Sequence, residues 1–321
     1  MAPRPRGTFP TVSFCLLQPD AVALYANLAR EQLLLDGGGG TVPVLMLWRG
    51  PQAVVMGKNQ NPWRECDPQY LRENGIPLAR RVSGGGAVYH DPGNLNFSWI
   101  LPREGYVPAF CHDLACRALA RLGLTAQVAP TGGLLVQGKK VSGSAYCYRR
   151  ERVLHHGTLL LDADLGRLRA ALSPPRVQVH THAVRSVPAQ VANLRDFLPE
   201  LTREQLMCAL VTEAQQVLGP VQDCDPDFGG LDAVTVQLSS PEWIWGQTPR
   251  FSVRVRLRDQ WLRLTVRQGR VEELTQNDVA VPPPKSVFCT DPWYAEMAEL
   301  LGGRAEDCRR AFGAYGFCAI T

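Results

Sequence analysis

A chain of 321 residues with 45% hydrophobic content can bury one substantial core and a smaller second one, which fits a two-domain enzyme. Its net charge of +4 is spread along the sequence without dense Lys/Arg blocks, which argues against nucleic acid and for a folded acidic partner. No apolar run approaches the ~18 residues that a transmembrane helix needs, so no membrane association is expected.

The first ten residues, MAPRPRGTFP, carry arginines and no acid but are short and broken by proline, so no amphipathic transit helix is evident. The expected compartment is cytoplasmic, or mitochondrial in a eukaryotic source. Asp20 can cap a helix whose apolar positions Leu24, Leu28 and Leu35 recur at helical spacing and which ends at Gly37 to Gly40. Strand patterns follow from Val44 to Val55 and from Leu95 to Ile100, and another helix runs from about Val107 to Leu122. Thr202 and Gln205 form a capping box for a helix that continues to about Leu218. Helices and strands alternate irregularly, which predicts an α+β fold with mixed, largely antiparallel sheets rather than a repeated βαβ wind.

From Gly219 to Glu242 the chain is rich in Asp, Gly, Pro and Ser and its hydrophobic period lapses, which predicts a domain boundary between 1–235 and 240–321. Beyond it, Phe251, Val253, Val255 and Leu257 alternate with Ser252, Arg254, Arg256 and Arg258, and Leu262, Leu264 and Val266 continue the alternation. The pattern predicts a hairpin with one apolar and one basic face, the basic side being a solvated outer face in preference to a docking surface. Pro282 to Pro284 form a stiff connection, and Asp291-Pro292 opens a final helix that stops near Gly302.

Ten cysteines show no regular framework of spacings, so reduced thiols are expected. Cys111 and Cys116 flank His112, but no second Cys/His pair completes a zinc site, and no metal ligands are assigned.

Two segments concentrate the chemistry: RRVSGGGAVYHDPGN from Arg80 and GKKVSGSAYCYRRERVLHHGTLLL from Gly138. Gly84, Gly85 and Gly86 lack a Cβ, so their amides can approach and turn toward an anion. On composition alone three glycines between apolar runs fit a hairpin or bulge better. Arg80, Arg81 and Lys140 shift that balance toward an oxyanion site.

With NLAREQ from Asn27, LWRG from Leu47, GKNQNPWREC from Gly57, HHGTLLLDADL from His155 and AVRSVPAQVANL from Ala183, the ordered motifs resemble the lipoate–protein ligases and lipoyltransferases of the biotin/lipoate ligase group. EWIWGQTPRFSV from Glu242 is similar to the start of that family's C-terminal accessory domain. The resemblance implies a biotin/lipoate-ligase-like catalytic domain followed by a small α+β accessory domain.

It further implies attachment of lipoate or octanoate, through an acyl-AMP intermediate made from ATP with Mg2+, to a lysine of an acceptor. The acceptors implied are lipoyl domains of 2-oxoacid dehydrogenase E2 subunits or the glycine cleavage H protein, met by a monomeric enzyme. Lys140 matches the lysine that contacts the acyl carbonyl and the phosphate, with Ser142 beside the ligand. Lys139 is the alternative, and strand alternation allows only one of the two to serve. Arg81, Gly85, Gly86, Ala87, Val88 and Tyr89 match the segment that holds the nucleotide.

His155 and His156 point to opposite faces of a strand, so they cannot readily share a metal. One is expected beside the acyl pocket, for which His156 is the candidate, and one in a structural role. His90 and Asp91 are expected to set the turn through Asn94. Trp48, Trp63 and Trp99 are expected in the core.

Two departures bear on the reaction. Thr131, Gly132 and Gly133 stand where the family has an Asn-Asp pair suited to magnesium or nucleotide. Cys147 stands in the expected loop after GSA, where relatives carry polar or basic residues. A thiolate there could carry the acyl group, and Arg149, Arg150 and Arg152 would lower its pKa, although an inert thiol is the favoured reading. An ATP-dependent ligase is therefore the first reading. A transferase using ready-made lipoyl-AMP or a carrier-bound acyl group is the alternative, and a non-catalytic acyl-adenylate binder is a remote third. Biotin ligation is disfavoured because no Gly-Arg-Gly-Arg loop is present.

Overall fold

The computed structural model describes residues 13–19, 22–38, 41–174, 179–313 and 317. In chain order the strands are β1 (Phe14–Leu17), β2 (Val44–Trp48), β3 (Ala53–Met56), β4 (Leu78–Arg80), β5 (Val88–His90), β6 (Asn94–Pro102), β7 (Ala126–Val128), β8 (Leu134–Val136), β9 (Lys139–Arg149), β10 (Arg152–Leu160), β11 (Val179–Thr181), β12 (Val221–Gln222), β13 (Phe251–Leu257), β14 (Gln260–Arg267), β15 (Arg270–Gln276) and β16 (Val279–Val281). They form an eight-stranded sheet in the order β12-β1-β2-β6-β10-β9-β8-β7, a three-stranded sheet β4-β3-β5 and a five-stranded sheet β11-β13-β14-β15-β16. Only β1 with β12 and β2, and β3 with β4, pair in parallel among the named strands. The fold is thus the α+β class with mixed, largely antiparallel sheets that the sequence predicts.

The large sheet separates two environments. On one face Leu45, Leu47, Leu95, Phe97, Trp99, Val153 and Leu159 pack against helices Pro108–Arg121 and Arg203–Leu218. The capping box of the second helix is formed as read, Thr202 and Gln205 each bonding the other's backbone. On the other face Met46 and Trp48 meet Val55 of the small sheet and Leu28 of helix Leu24–Leu33. Both faces of β6 are covered, so every residue from Asn94 to Leu101 is buried. Strands covered on both sides lose the clean polar alternation. That is why Val44 to Val55 reads as one apolar run, although it folds as two strands separated at Arg49–Gln52.

Several expectations need correction. Asp20 lies outside the described residues, and helix Leu24–Leu33 begins after Ala23 with no side-chain cap. The stretch Gly219–Glu242 is not without structure: Leu231–Ser239 is helical, and Leu231, Val234 and Leu238 pack against Leu24 and Leu28. Asp291–Leu300 is helical, but a further helix, Ala305–Gly313, follows it. Cys15 on β1 and Cys224 after β12 form a disulfide instead of two free thiols, their Cα atoms 5.7 Å apart.

The hairpin β13–β14 has the predicted faces, with Phe251, Val253, Val255, Leu262, Leu264 and Val266 buried and Arg254, Arg256 and Arg263 exposed. Its apolar side packs on Phe288, Trp293, Tyr294, Met297 and Phe312 to build a second core. That core also receives Trp63, whose ring centroid lies 5.1 Å from Phe251 and 5.2 Å from Trp245. We propose the division 1–235 and 240–321 for the chain; the second core nevertheless draws Trp63, and its sheet draws β11, from the earlier part.

Candidate functional site

The glycine segment follows β4 and the two buried guanidiniums of Arg80 and Arg81, the second of which braces it. Adjacent residues of an extended chain point oppositely. Arg80 donates to the carbonyl oxygens of Lys58 (2.8 Å), Gln60 (2.9 Å) and Ile244, and to Thr248 Oγ1 (2.8 Å). Arg81 donates to Ser83 Oγ (2.9 Å) and to the carbonyls of Val55 (3.0 Å), Gly84 (2.6 Å) and Gly86 (2.8 Å). Burial lowers both guanidiniums to about 10, so they stay cationic at neutral pH. The sequence reading has them gripping an oxyanion; here their donors grip backbone carbonyls and one hydroxyl each, and Arg81 shapes the turn that faces the cavity.

Two glycines of this turn are required for different reasons. Gly85 has φ +85°, and a Cβ there would meet the Arg81 guanidinium at 3.0 Å. At Gly86 a Cβ would stand 2.9 Å from Ser186 Oγ. Ser186 belongs to the extended segment 182–190 that crosses above the turn, where its hydroxyl accepts from Ala87 N at 2.9 Å and donates to Glu65 Oε2. Burial pushes the Glu65 carboxyl up, the two hydrogen bonds from Ser186 opposing it.

Lys140 lies near the start of β9, and its backbone is held by Gln190 O (2.8 Å) and Ala192 N (3.0 Å). Its ammonium enters a cleft in which, among the described residues, no side chain pairs with it; desolvation alone lowers its pKa. Lys139 is exposed. The cleft has an inner chamber of about 370 Å3 and an outer one of about 440 Å3. Lys140, Gly143, Thr158 and Ser186 border both. Arg81, Gly85 and Gly86 line the inner chamber, Tyr89 and Ser142 the outer, and Ala87 and Val88 both. Among the described residues the buried Tyr89 hydroxyl and Ser142 Oγ have no partner, so both are available to a ligand.

His155 and His156 do occupy opposite faces of β10. His156 lines the inner chamber, with Nε2 2.6 Å from Ser83 Oγ and Nδ1 2.9 Å from Glu31 Oε2. Glu31 Oε1 also accepts from Ser98 Oγ, which in turn accepts from Trp48 Nε1 at 3.1 Å. A continuous polar chain therefore runs beneath the chamber from Trp48 to Arg81. His155 contacts the Tyr106 hydroxyl at 2.7 Å and is lowered to about 3 by burial, with His112 and His156 adding to the effect. His90 is likewise lowered to about 3, by burial and then by Arg81 and His156. Trp48 lines the chamber, whereas Trp63 and Trp99 are core residues as expected.

Cys147 is neither in a loop nor among the residues lining either chamber. It lies on β9, packed beside Leu154, and burial raises its pKa despite Arg149 pulling the other way. Arg152 instead donates into the carbonyls of Val42 and Ile100. The loop Thr131–Gly133 approaches Lys140 closely: a Cβ on Gly133 would stand 2.3 Å from Ser142 O and 3.3 Å from Lys140 Cε.

Glu31, Glu65, Ser186 and Asn96 are site residues that sequence reasoning did not single out. Glu31 reads as one more polar position of a helix, and its meeting with His156 spans 125 positions. No local pattern encodes that contact.

Among the described residues no group of three His, Cys, Asp or Glu is placed to hold a metal, and no helix is long and apolar enough to cross a membrane. The structure is similar to that of P. falciparum LipL1 in complex with lipoate, at 25% identity over 83% of this chain and 84% of that one, with a TM-score of 0.65. A lipoate–protein ligase A bound with ATP matches 74% of this chain and 100% of its own at 25% identity and a TM-score of 0.63. A bipartite lipoate protein ligase from Thermoplasma acidophilum, described with its E2 lipoyl domain, matches at 26% identity over 73% and 96% with a TM-score of 0.61. The model of the lipoyl protein ligase A/B catalytic domain covers residues 23–215, well over half of the chain, and the protein therefore belongs to that family.

Proposed function

We propose that the protein is an ATP-dependent lipoate–protein ligase, and the observation that carries this is the unpaired Lys140 ammonium where the two chambers meet. Lipoate lies in the inner chamber and the nucleotide in the outer, so Arg81, Gly85 and Gly86, which the sequence reading gives to the nucleotide, border the acyl chain instead, while Tyr89 keeps the nucleotide side. A carboxylate is a poor acyl donor because its leaving group would be oxide; attack of the carboxylate oxygen on the α-phosphorus of ATP expels pyrophosphate and gives lipoyl-AMP. Both reactants are anions, and Lys140 offsets their repulsion while Tyr89 and Ser142 offer hydroxyl donors. In the second step the amine of an acceptor lysine attacks the acyl carbon, AMP departs, and Lys140 stabilises the oxyanion. The lipoate and ATP bound by the two relatives described above support the choice of lipoate and ATP as substrates.

We propose lipoyl domains of 2-oxoacid dehydrogenase E2 subunits or the glycine cleavage H protein as acceptors, a monomeric enzyme, and a cytoplasmic or mitochondrial site of action. The residues present do not fit a protein-held Mg2+. Magnesium bound with substrate phosphates usually takes one or two carboxylates from the protein. In this cleft Glu31 is bonded to His156 and Ser98, and Glu65 to Ser186. That lack, with Gly132 and Gly133 in the loop facing Lys140, favours a second reading in which ready-made lipoyl-AMP is the donor.

Lipoate-dependent exchange of labelled pyrophosphate into ATP, with transfer to a lipoyl domain followed by mass spectrometry, separates the readings. Exchange plus transfer is expected. Transfer from synthetic lipoyl-AMP without exchange selects the transferase, and neither activity would overturn both.

A further inference from the structure

The inner chamber ends in polar atoms that the protein itself leaves unanswered. Asn96 on β6 is 2% exposed, and among the described residues neither its Oδ1 nor its Nδ2 has a partner. Beside it His90, 4% exposed, has an unpartnered Nδ1 and meets the Trp48 ring edge-on at 5.6 Å. The neighbouring polar side chains differ in this respect: Glu31, His156, Ser83 and Ser98 satisfy one another. A buried amide lacking both partners in a cavity wall is a site awaiting a ligand atom.

Sheet register locates Asn96 along the acyl chain. Gly143 on β9 pairs with Thr158 on β10, Thr158 with Asn96 on β6, and Asn96 with Trp48 on β2. All four line the chamber, so they make a straight floor across adjacent strands. The floor starts at the reacting end, since Lys140 Nζ lies 4.0 Å from where a Gly143 Cβ would stand. Two strand spacings of ~4.8 Å put Asn96 roughly 10 Å further in. That is about the reach of an extended octanoyl chain.

We propose that Asn96 is a specificity-determining residue that reads the far end of the acyl chain, selecting one that ends in sulfur, as lipoate does, over the plain hydrocarbon of octanoate. The inference rests on the ligase reading. A dithiolane sulfur accepts weakly from Asn96 Nδ2, and its polarisable ring fits between Trp48 and Thr158. A methyl end does neither and leaves the amide dry and unpaired. A site built to pair a polar group discriminates against the analogue that lacks it.

The test compares kcat/KM for lipoate and octanoate in ligation to a lipoyl domain, for the native enzyme and Asn96→Leu, with Asn96→Val as the second variant should leucine not be accommodated. The native enzyme is expected to prefer lipoate by more than about tenfold, and the variant to lose most of that preference, mainly by gaining on octanoate. A native ratio near one, the result if a buried water satisfies Asn96 under either acid, overturns the inference, as does a ratio unchanged in the variant. In both cases ligation itself continues and the ligase reading stands. Ligation of neither acid overturns the ligase reading and the inference with it.

Discussion

The Arg80 guanidinium donates twice to one carbonyl, that of Ile244, at 2.9 and 2.6 Å across 164 positions of sequence. The same side chain holds the carbonyls of Lys58 and Gln60, and Gln60 reaches Ser186 Oγ at 3.1 Å. The start of the C-terminal part, the turn before the glycine segment and the segment crossing the cleft are thus joined through one buried cation. Among the described residues no carboxylate pairs with Arg80 itself. Its strength lies in charge-assisted hydrogen bonds to backbone.

Arg80→Ala should therefore destabilise the whole protein, because it leaves two buried carbonyls, those of Gln60 and Ile244, without their donor at ~1–3 kcal/mol each before relaxation, and the part-buried one of Lys58 besides. Arg80→Lys should recover only part of this, since one ammonium cannot span the fork. Denaturant midpoints by circular dichroism check the order native, lysine, alanine. A lysine variant as stable as the native protein would show that the fork geometry is dispensable.

Lys140→Ala should abolish transfer with the fold intact, costing ~3 kcal/mol of transition-state stabilisation, or over a hundredfold in rate, while Lys139→Ala stays near native. Desolvation holds the Lys140 ammonium below the ordinary lysine value of 10.5, so the cation needed for catalysis is lost at lower pH than an exposed lysine would lose it. The alkaline limb of kcat/KM should thus fall below that value, and Lys140→Arg, if active, should move it upward. A profile flat to pH 10.5 would remove Lys140 from the free-enzyme ionisations.

Much of this site was legible beforehand because its parts are local. A glycine turn, a lysine before Ser-Gly and two histidines on opposite faces of a strand are short-range patterns, and the structure puts the turn, Lys140 and His156 around one cleft. The rest depended on contacts between distant segments. Glu31 meets His156, Glu65 meets Ser186, and Arg81 reaches back to the carbonyl of Val55. Burial was equally hidden: three arginines beside Cys147 suggest a low pKa, yet the half-buried thiol packs against a core cluster and desolvation wins. The helix Leu231–Ser239 was missed because only part of it packs, Val236 being 68% exposed, so its apolar period is weak.

Cys147→Ser should retain most of the transfer activity, and intact-mass measurement after mixing with acyl donor should find no thioester. A thiol raised by burial supplies little thiolate at neutral pH, and this one lies outside both chambers. A stable acyl adduct on Cys147 would reverse this.

Acid should destabilise the fold before most carboxylates titrate. His90 and His155 are both held near 3 in the folded protein, well below the ~6.5 of an unfolded histidine. Below pH ~6.5 the unfolded chain binds more protons, so the stability from these two groups is complete above that pH and is lost as pH falls toward 3. Urea midpoints should drop between pH 7.5 and 5, and His155→Gln should flatten the slope. An equal slope in that variant would assign the loss to other groups.

The loop facing Lys140 offers the sharpest separation of ligase from transferase. Restoring an acid at Gly133 fails on steric grounds: φ is +97° and the new Cβ would lie 2.3 Å from Ser142 O, so Gly133→Asp should impair both half-reactions. Gly132 is the usable position. Its φ of +75° lies in the left-handed region that Asp and Asn tolerate best among side-chain residues, and its Cβ would meet only Ser144 Oγ, at 3.7 Å. If the missing carboxylate limits activation, Gly132→Asp should raise lipoate-dependent ATP–pyrophosphate exchange and lower its magnesium requirement. Transfer from synthetic lipoyl-AMP, which involves no triphosphate, should stay within about twofold, the range of a substitution that leaves transition-state contacts untouched. Native exchange already as fast as transfer, and unmoved by the substitution, would mean that activation here needs no carboxylate from this loop.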